Sequence, residues 1–278
     1  QSKSIRMAGI MDKQDSFEIE GLNGKKTLEG KIEVKGAKNA ALKVLAASLL
    51  FKDEVSLDDV PQIEDVSKML EVLADLGVKV EQPAADKYHL VTKNVSNHEI
   101  TPDIAKKMRA SIVVTGPLLA RLGQVSFPYP GGCVIGKRPI DFFLDGFQKM
   151  GAKVSLKGDI YTVTTVEQKL KGAVIFFKNA TVTGTETFMM AGVLAEGKTV
   201  LKNCALEPEI ESLGNFLKGC GAKIEGLGTT TLTITGGSLL AGKNKIYKTM
   251  PDRIEAGSFI ILAALAGKEM EICNCEPK

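Results

Sequence analysis

The hydrophobic and polar positions of this chain follow one pattern that occurs more than once. An alanine-rich apolar segment beginning at Ala40 predicts a buried helix, and the alternation at Val55-Ser56-Leu57 predicts a short strand after it. A polar turn at Val60-Pro61 leads into a second predicted helix, which ends at Gly77, a residue suited to a left-handed C-cap. That second helix is predicted from apolar residues at helical spacing, namely Val66, Met69, Leu70, Leu73 and Leu76.

The same order of elements recurs along the rest of the sequence. A second full copy covers residues 189–224, a partial copy covers residues 142–154, and a further copy begins at Ile254. The corresponding glycines at 77, 151 and 221 are 74 and then 70 residues apart, which is longer than the period of a short-repeat solenoid. The pattern therefore predicts an α/β domain in which a few copies of one αβ unit share a core. Half-exposed strands are predicted at residues 31–34, 161–164 and 232–235.

Composition narrows the possible functions. The 278 residues are 44% hydrophobic and 25% charged, as in a soluble globular protein. The net charge is only +3 and no Lys/Arg-rich block is present, which argues against a nucleic acid partner. No apolar run approaches the ~20 residues of a membrane span, and no secretory signal is visible, so no membrane association is predicted.

The cysteines indicate a reducing compartment. Five cysteines are scattered along the chain without paired spacing, which favours reduced thiols in the cytoplasm over a disulfide framework. Cys204, Cys220, Cys273 and Cys275 lie in strand or helix patterns and are predicted to be small packed residues. No metal site is predicted, because the Cys273-x-Cys275 pair has no further ligands in its sequence neighbourhood.

The glycine-rich segment of residues 130–141 is the best candidate for chemistry. It contains Cys133, followed four and five residues later by Lys137 and Arg138. Cations near a thiol favour the thiolate and lower the thiol's pKa, and flanking glycines let a ligand approach the backbone closely. The segment therefore predicts a site where an anionic substrate meets a reactive cysteine. Arg138 could bind a diphosphate while Asp141 accepts from a base or sugar hydroxyl, or the two side chains could form an internal ion pair.

Three further segments could hold an anion. Lys38 and Asn39 open the first alanine-rich helix, where free N–H groups and partial positive charge suit a phosphate, although an ordinary turn with an Asn cap explains them equally well. Arg109 lies near the start of an apolar helix that runs to Leu122 and could bind a phosphate or lie on a solvated face. The threonine-rich residues 180–187 could hold a phosphate or simply cap the next helix.

Together these motifs resemble those of a known family. They look like those of the UDP-N-acetylglucosamine 1-carboxyvinyltransferases, which are enolpyruvyl transferases of peptidoglycan synthesis, and the resemblance extends from about residue 17 to the end. It implies an inside-out α/β barrel domain with helices inside and sheets outside, and an incomplete second domain of the same kind. The motifs that carry the resemblance occur in a fixed order at residues 36–41, 108–111, 116–121, 130–141 and 251–257.

The resemblance also implies domain boundaries. Residues 38–249 would form a complete domain of three αβ repeats. Residues 17–37 and 250–278 would form a fragment of the second domain, and residues 1–16 would be an extension. The family's catalytic aspartate and several anion-binding arginines would lie beyond residue 278. We therefore expect a C-terminally truncated chain that binds substrate weakly and turns over little by itself.

The implied reaction moves the enolpyruvyl group of phosphoenolpyruvate to the 3-hydroxyl of UDP-N-acetylglucosamine and releases phosphate. These two small molecules are the implied partners, and no cofactor is implied. Cys133 would act as the general acid and could form a covalent adduct, because the pKa of a thiol can be tuned towards neutrality. Lys38 and Arg138 would bind phosphoenolpyruvate, with Arg109 beside them. Contacts to the sugar nucleotide are implied for Asn39, Arg138, Pro139, Ile140, Asp141, Phe142, Thr181, Val182 and Thr183.

Three alternatives remain open. The sister enolpyruvyl transferase acting on shikimate 3-phosphate shares the architecture but lacks the Gly-Gly-Cys loop, so alkylation of Cys133 by fosfomycin separates the two. A non-catalytic UDP-sugar-binding fragment would bind the sugar nucleotide without releasing phosphate. A purely structural repeat protein leaves the combination of Cys133 and Arg138 in one glycine loop unexplained.

Overall fold

The computed structural model describes residues 18–107, 109–131 and 139–276. The first strand, β1 (Leu28–Glu33), leads into three successive units, each with an inner helix, a strand, a second helix and a hairpin. The first unit consists of α1 (Lys38–Ala47), β2 (Glu54–Asp58), α2 (Glu64–Asp75), β3 (Lys79–Ala84) and β4 (Lys87–Val91).

The second and third units repeat this order. In the second unit the inner helix is preceded by a short helix and a 3-10 segment, and in the third a strand precedes it. The second unit comprises α3 (Pro102–Lys107), the 3-10 segment Arg109–Val114, α4 (Thr115–Leu122), β5 (Gln124–Pro128), α5 (Asp141–Lys149), β6 (Ala152–Lys157) and β7 (Ile160–Thr165). The third comprises β8 (Val174–Phe176), α6 (Val182–Leu194), β9 (Lys198–Lys202), α7 (Pro208–Gly219), β10 (Lys223–Glu225) and β11 (Thr231–Thr235).

The chain then returns to the first unit and to β1. Strand β12 (Ile246–Lys248) joins β2 in parallel, and α8 (Arg253–Ala266) leads into β13 (Gly267–Cys273), which pairs with β1 in parallel. Among the described strands, β1 and β13 form a separate two-stranded sheet. The assignment of residues 17–37 and 250–278 to a second domain stays a prediction.

Each unit contributes one sheet, and the three sheets follow one rule. The strand after the inner helix pairs antiparallel with the second strand of the hairpin, as β2 does with β4, β5 with β7 and β9 with β11. The strand orders are β12-β2-β4-β3, β5-β7-β6 and β10-β11-β9-β8. This regularity confirms the repeat that the glycine spacing predicted. Gly77, Gly151 and Gly221 all have positive φ, at 99°, 85° and 105°, as the predicted left-handed caps require.

The helices lie inside and the sheets outside, as the resemblance implied. Helix α6 is buried without interruption from Gly184 to Val193, and α1 from Ala40 to Ala47. A helix that is apolar all round can be stable only when neighbours surround it, and the inner helices supply this for one another. On α2 the predicted apolar positions Val66, Met69, Leu73 and Leu76 are buried and Leu70 is half-buried.

Helix α8 shares the apolar character of α6 but not its burial. Only Ala256 of α8 is buried, and Ile260, Ile261 and Leu265 are 56%, 63% and 72% exposed. The helix packs against β13, and within the described residues no inner helices surround it as they surround α6.

The inner helices α4 and α6 approach closely at Gly116. A Cβ on Gly116 would lie 2.4 Å from the carbonyl oxygen of Thr187, which is backbone and cannot rotate away. We expect Gly116→Ala to lower the free energy of unfolding by roughly 1–3 kcal/mol, as overpacking does in other cores. Denaturant unfolding measures this. Gly219→Ala, at the end of α7 with nothing within 4 Å of the added carbon, is the control and should leave stability unchanged. Equal stability of the two variants would contradict the close packing.

Candidate functional site

Lys38 and Asn39 lie in the first turn of α1. Ala37 is the N-cap residue and its side chain makes no capping hydrogen bond, so the alternative of an Asn cap is wrong. The backbone N–H of Lys38 donates to Asp252 Oδ2 at 3.3 Å. Lys38 Nζ lies 3.2 Å from Asp65 Oδ2 on α2, and 47% of the lysine side chain is exposed. The ammonium of Lys38 is therefore accessible to an anion that replaces Asp65.

Thr181, Val182 and Thr183 form the start of α6. Thr181 is the N-cap residue, and its Oγ1 accepts a hydrogen bond from the N–H of Gly184 at 3.2 Å. The Thr185 hydroxyl donates back to the carbonyl oxygen of Thr181 at 2.8 Å. The capping role that the sequence allowed for a threonine is thus confirmed for Thr181. The three residues are half-buried, and N–H groups in the first turn of a helix have no partner within the helix.

The predicted residues 139–142 lie at the start of α5. Pro139 and Asp141 are exposed, whereas Ile140 is buried in the core. Phe142 is half-buried, and its ring lies against α6: a Cβ on Gly184 would be 2.8 Å from Phe142 Cε2. The glycine at 184 therefore lets the start of α5 pack directly on the start of α6.

Helix α6 contacts both α1 and α5 near their starts. Helix α5 contacts α6 through Phe142, which lies against Gly184, and through Phe147, whose ring centroid lies 5.2 Å from that of Phe188. Helix α1 meets α6 through an ion pair between Lys43 and Glu186. The 3-10 segment that begins at Arg109 packs against both α1 and α6. The structure thus brings together the elements that carry Lys38, Asn39, Arg109, Asp141, Phe142, Thr181, Val182 and Thr183.

Cys133, Arg138 and the side chain of Arg109 lie outside the described residues. Their predicted roles therefore stay predictions. The described ends of the cysteine segment are attached to the second unit. The N–H of Gly131 donates to the carbonyl oxygen of Ala105 on α3 at 3.1 Å, and Ile140 is buried at the start of α5. Ala180, the residue before Thr181, is one of the residues that line an open cleft of about 440 Å³.

Two buried carboxylates near these helix starts were not identified from the sequence. Glu186 is fully buried and lies 3.0 Å from Lys43 Nζ, and Glu209 is 2% exposed and lies 3.0 Å from Arg253 Nε. The Tyr247 hydroxyl lies 2.9 Å from that of Ser212, and burial raises the pKa of Tyr247 to about 12. The sequence does contain a signal for such buried charges, because Lys43 and Glu186 are each a single charged residue inside an apolar run.

The charge on Glu186 gives stability a dependence on pH. Burial raises the pKa of Glu186 to about 7, against the opposing charge of Lys43, and the charges of Glu209 and Glu207 raise it further. Because the folded pKa exceeds the ordinary value of 4.5, the folded state holds a proton that the unfolded chain releases between these values. The contribution of the protonated carboxyl is complete below about pH 4.5 and is lost as the pH rises through 7.

We therefore expect the stability of the parent chain, relative to Glu186→Gln, to fall by roughly 1–3 kcal/mol between pH 4.5 and 8. Urea unfolding of both proteins across this range measures the difference, in which the titration of other groups cancels. Parallel stability curves for the two proteins would show that Glu186 titrates as it does in the unfolded chain.

The other cysteines carry no sign of reactivity. Cys204 and Cys220 are buried as predicted, and burial raises the pKa of both thiols. Cys275 is exposed, so its predicted packing is wrong, because it lies just after the end of β13. Among the described residues no group of three or more His, Cys, Asp or Glu side chains could hold a metal ion. None of the described helices is both long enough and apolar enough to span a membrane.

Known proteins resemble this chain in sequence. A family model described as EPSP synthase (3-phosphoshikimate 1-carboxyvinyltransferase) matches residues 22–278. A UDP-N-acetylglucosamine 1-carboxyvinyltransferase of Koribacter versatilis is 44% identical over 260 residues, covering 92% of this chain and 59% of the relative. One of Aeromonas salmonicida is 43% identical over 263 residues, covering 95% and 61%. The chain thus spans about three fifths of the length of these relatives.

Solved structures share the fold. The enolpyruvyl transferase NikO from Streptomyces tendae superposes with a TM-score of 0.75 at 20% identity, covering 90% of this chain and 58% of that one. EPSP synthase from Acinetobacter baumannii superposes with a TM-score of 0.72 at 19% identity, covering 92% and 58%. At this identity the likeness shows the fold alone.

Proposed function

Because the chain belongs to the EPSP synthase family of enolpyruvyl transferases, we propose that it forms the part of a UDP-N-acetylglucosamine 1-carboxyvinyltransferase that holds the substrates against a reactive cysteine. The observation that supports the proposal is the contact of α6 with both α1 and α5 near their starts, because these are the helices whose first residues include Lys38, Asn39, Asp141 and, at the N-cap, Thr181. The curated relatives bearing that name, at 43–44% identity, support this substrate over shikimate 3-phosphate.

The geometry suits an acceptor and a donor that are both anionic. The start of α6 offers backbone N–H groups and a positive helix end to a diphosphate. Lys38 offers an accessible ammonium to phosphoenolpyruvate, and Arg109 and Arg138 are proposed to add two guanidinium groups. Exposed Asp141 is proposed to accept from the nucleoside, beside Pro139, Ile140 and the Phe142 ring.

The proposed chemistry needs no cofactor. Cys133 donates a proton to the methylene carbon of phosphoenolpyruvate while the 3-hydroxyl oxygen bonds to C2 and gives up its own proton, which produces a tetrahedral intermediate. The Cys133 thiolate then takes back a proton from the methyl group while the bond from C2 to the phosphate oxygen breaks, which gives the enol ether, and the proton from the 3-hydroxyl ends on the released inorganic phosphate. Fixed cations stabilise the developing charge. With these small-molecule substrates, the proposed location is the cytoplasm.

The test measures ligand preference and thiol labelling. We expect the chain to bind UDP-N-acetylglucosamine in calorimetry, to show no binding of shikimate 3-phosphate, and to gain one fosfomycin adduct at Cys133. Exposed Cys275 is the internal control and should stay unlabelled, and Cys133→Ser should abolish the adduct. Preference for shikimate 3-phosphate would favour the sister enzyme. Binding of the sugar nucleotide with neither adduct nor phosphate release would favour a non-catalytic module.

A further inference from the structure

An ion pair lies in the interior between α1 and α6. Lys43 Nζ and Glu186 Oε2 are 3.0 Å apart, and the side chains are 7% and 0% exposed. Lys43 Nζ also lies 3.4 Å from the carbonyl oxygen of Asn39, one turn earlier on α1. The pair therefore joins the second turns of two helices whose first turns carry proposed substrate contacts.

Stability alone does not account for this pair. Removing two charges from water is costly, and well-packed apolar residues of similar volume usually stabilise a core as well or better. Among the described residues neither carboxylate oxygen of Glu186 has a well-aligned hydrogen bond, although Oε2 lies 3.0 Å from Lys43 Nζ, so the desolvation of the carboxylate is only partly offset. A buried charged pair does, however, specify one relative position of the two elements it joins, because any shift leaves both charges unpaired.

Among the neighbouring charged side chains, Lys43 is the cation that pairs with Glu186. Glu209 on α7 is the nearest other buried carboxylate, and it already has a cation in Arg253, with Nε 3.0 Å from Oε1. The negative charges of Glu209 and Glu207 oppose ionisation of Glu186, whereas Lys43 favours it. Within the described residues, each buried carboxylate thus has its own cation on a different helix.

We propose that Lys43 and Glu186 are positioning residues for the sugar-nucleotide site. They fix the start of α1, which carries Asn39, against the start of α6, which carries Thr181–183. Because the pair acts on two helix starts that carry proposed contacts to the sugar nucleotide, its loss should weaken binding of the sugar nucleotide while the intrinsic reactivity of the Cys133 thiol stays unchanged. The identity of the ligand in this inference rests on the proposed function, whereas the effect of the pair on the position of the helices does not.

The decisive variant is the apolar double substitution Lys43→Met/Glu186→Leu. It replaces both charges with side chains of similar length, so we expect its denaturant midpoint to equal or exceed that of the parent chain at pH 8. The single variants Lys43→Met and Glu186→Leu should each have a lower midpoint, because each leaves one buried charge unpaired. The matched control is Lys68→Met/Glu71→Leu, which removes an ion pair within α2 whose lysine is half-buried and whose glutamate is exposed.

At restored stability the double variant should still bind UDP-N-acetylglucosamine at least fivefold more weakly by calorimetry. The rate of labelling of Cys133 by neutral iodoacetamide, which does not depend on an anion site, should stay within twofold. A dissociation constant equal to that of the parent chain, or an equal loss in both readouts, would overturn the inference.

Hydrogen exchange separates this inference from the proposed function. If the parent chain binds no UDP-N-acetylglucosamine, the proposed function fails, but exchange still reports on the helices. Faster exchange in the double variant at residues 38–42 and 181–186, with α2 unchanged, would support the positioning role. Exchange identical to that of the parent chain would refute it.

Discussion

Arg121→Met should be the most destabilising single change in the second unit, lowering the free energy of unfolding by roughly 3–5 kcal/mol. Arg121, in the last turn of α4, donates from Nη1 to the carbonyl oxygens of Leu49 (2.9 Å) and Phe51 (2.7 Å). Its Nη2 donates to the carbonyl oxygen of Thr92 at 2.7 Å. Methionine fills much of the same space but removes all three charge-assisted hydrogen bonds. The carbonyl oxygen of Leu49 then loses its donor, whereas that of Phe51 keeps the Thr92 hydroxyl at 2.7 Å and that of Thr92 keeps the Val95 N–H at 3.5 Å.

Urea unfolding measures the effect, with Lys202→Met at the end of β9, where the lysine is exposed, as the control for loss of a surface cation. Arg121→Lys should recover only part of the loss, because one ammonium cannot match the planar guanidinium fork. Because Arg121 joins the second unit to the first, we expect the parent chain to unfold in one cooperative transition. The m-value of the variant should then equal that of the parent chain. A Met variant within 1 kcal/mol of the parent chain would show that water replaces the guanidinium without cost.

Lys38→Met should slow fosfomycin labelling of Cys133 by about tenfold to a hundredfold, because a charge-assisted contact contributes about 1.5–3 kcal/mol. The prediction follows from the position of Lys38 at the start of α1 with an accessible ammonium. Asp65→Asn should have the opposite effect, raising the labelling rate two- to threefold, because it removes the carboxylate that competes for Lys38 in a solvated pair.

Mass spectrometry of the Cys133 peptide over time gives the rate. Labelling by neutral iodoacetamide is the control for thiol reactivity and should be the same in all variants. Lys68→Met, which removes a cation from the same helix as Asp65, should leave the fosfomycin rate unchanged. A Lys38 variant that reacts at the parent rate would remove Lys38 from the anion site.

The architecture was predictable because it is local and repeated. Apolar spacing along α2 and the glycines at 77, 151 and 221 report on structure within a few residues of themselves, so the units and their caps follow from the sequence. The grouping of Lys38, Asn39, Asp141 and Thr181 came from the resemblance, and in the structure α6 contacts both α1 and α5 near their starts.

The partners across units were not predictable. Arg121 could be recognised as part of a motif, but its carbonyl acceptors lie up to 72 residues away, and no local pattern indicates them. Lys43 and Glu186 are each a single charged residue in an apolar helix. Only the folded structure, in which α1 contacts α6, shows that the two side chains form an ion pair. At the start of α1, Ala37 holds the cap position because Asp252, 214 residues later than Lys38, supplies the missing acceptor.

The parallel pairing of β1 with β13 has a consequence for synthesis on the ribosome. Strand β1 is made first, yet its partner residues, from Gly267 onward, are made more than 230 residues later. At about 5–20 residues per second, β1 emerges many seconds before it can be paired. The three units between the two strands need neither of them for their own sheets, so they can fold during this delay. The backbone of β1 is then among the last to find its partner, and chaperone binding during synthesis should concentrate there.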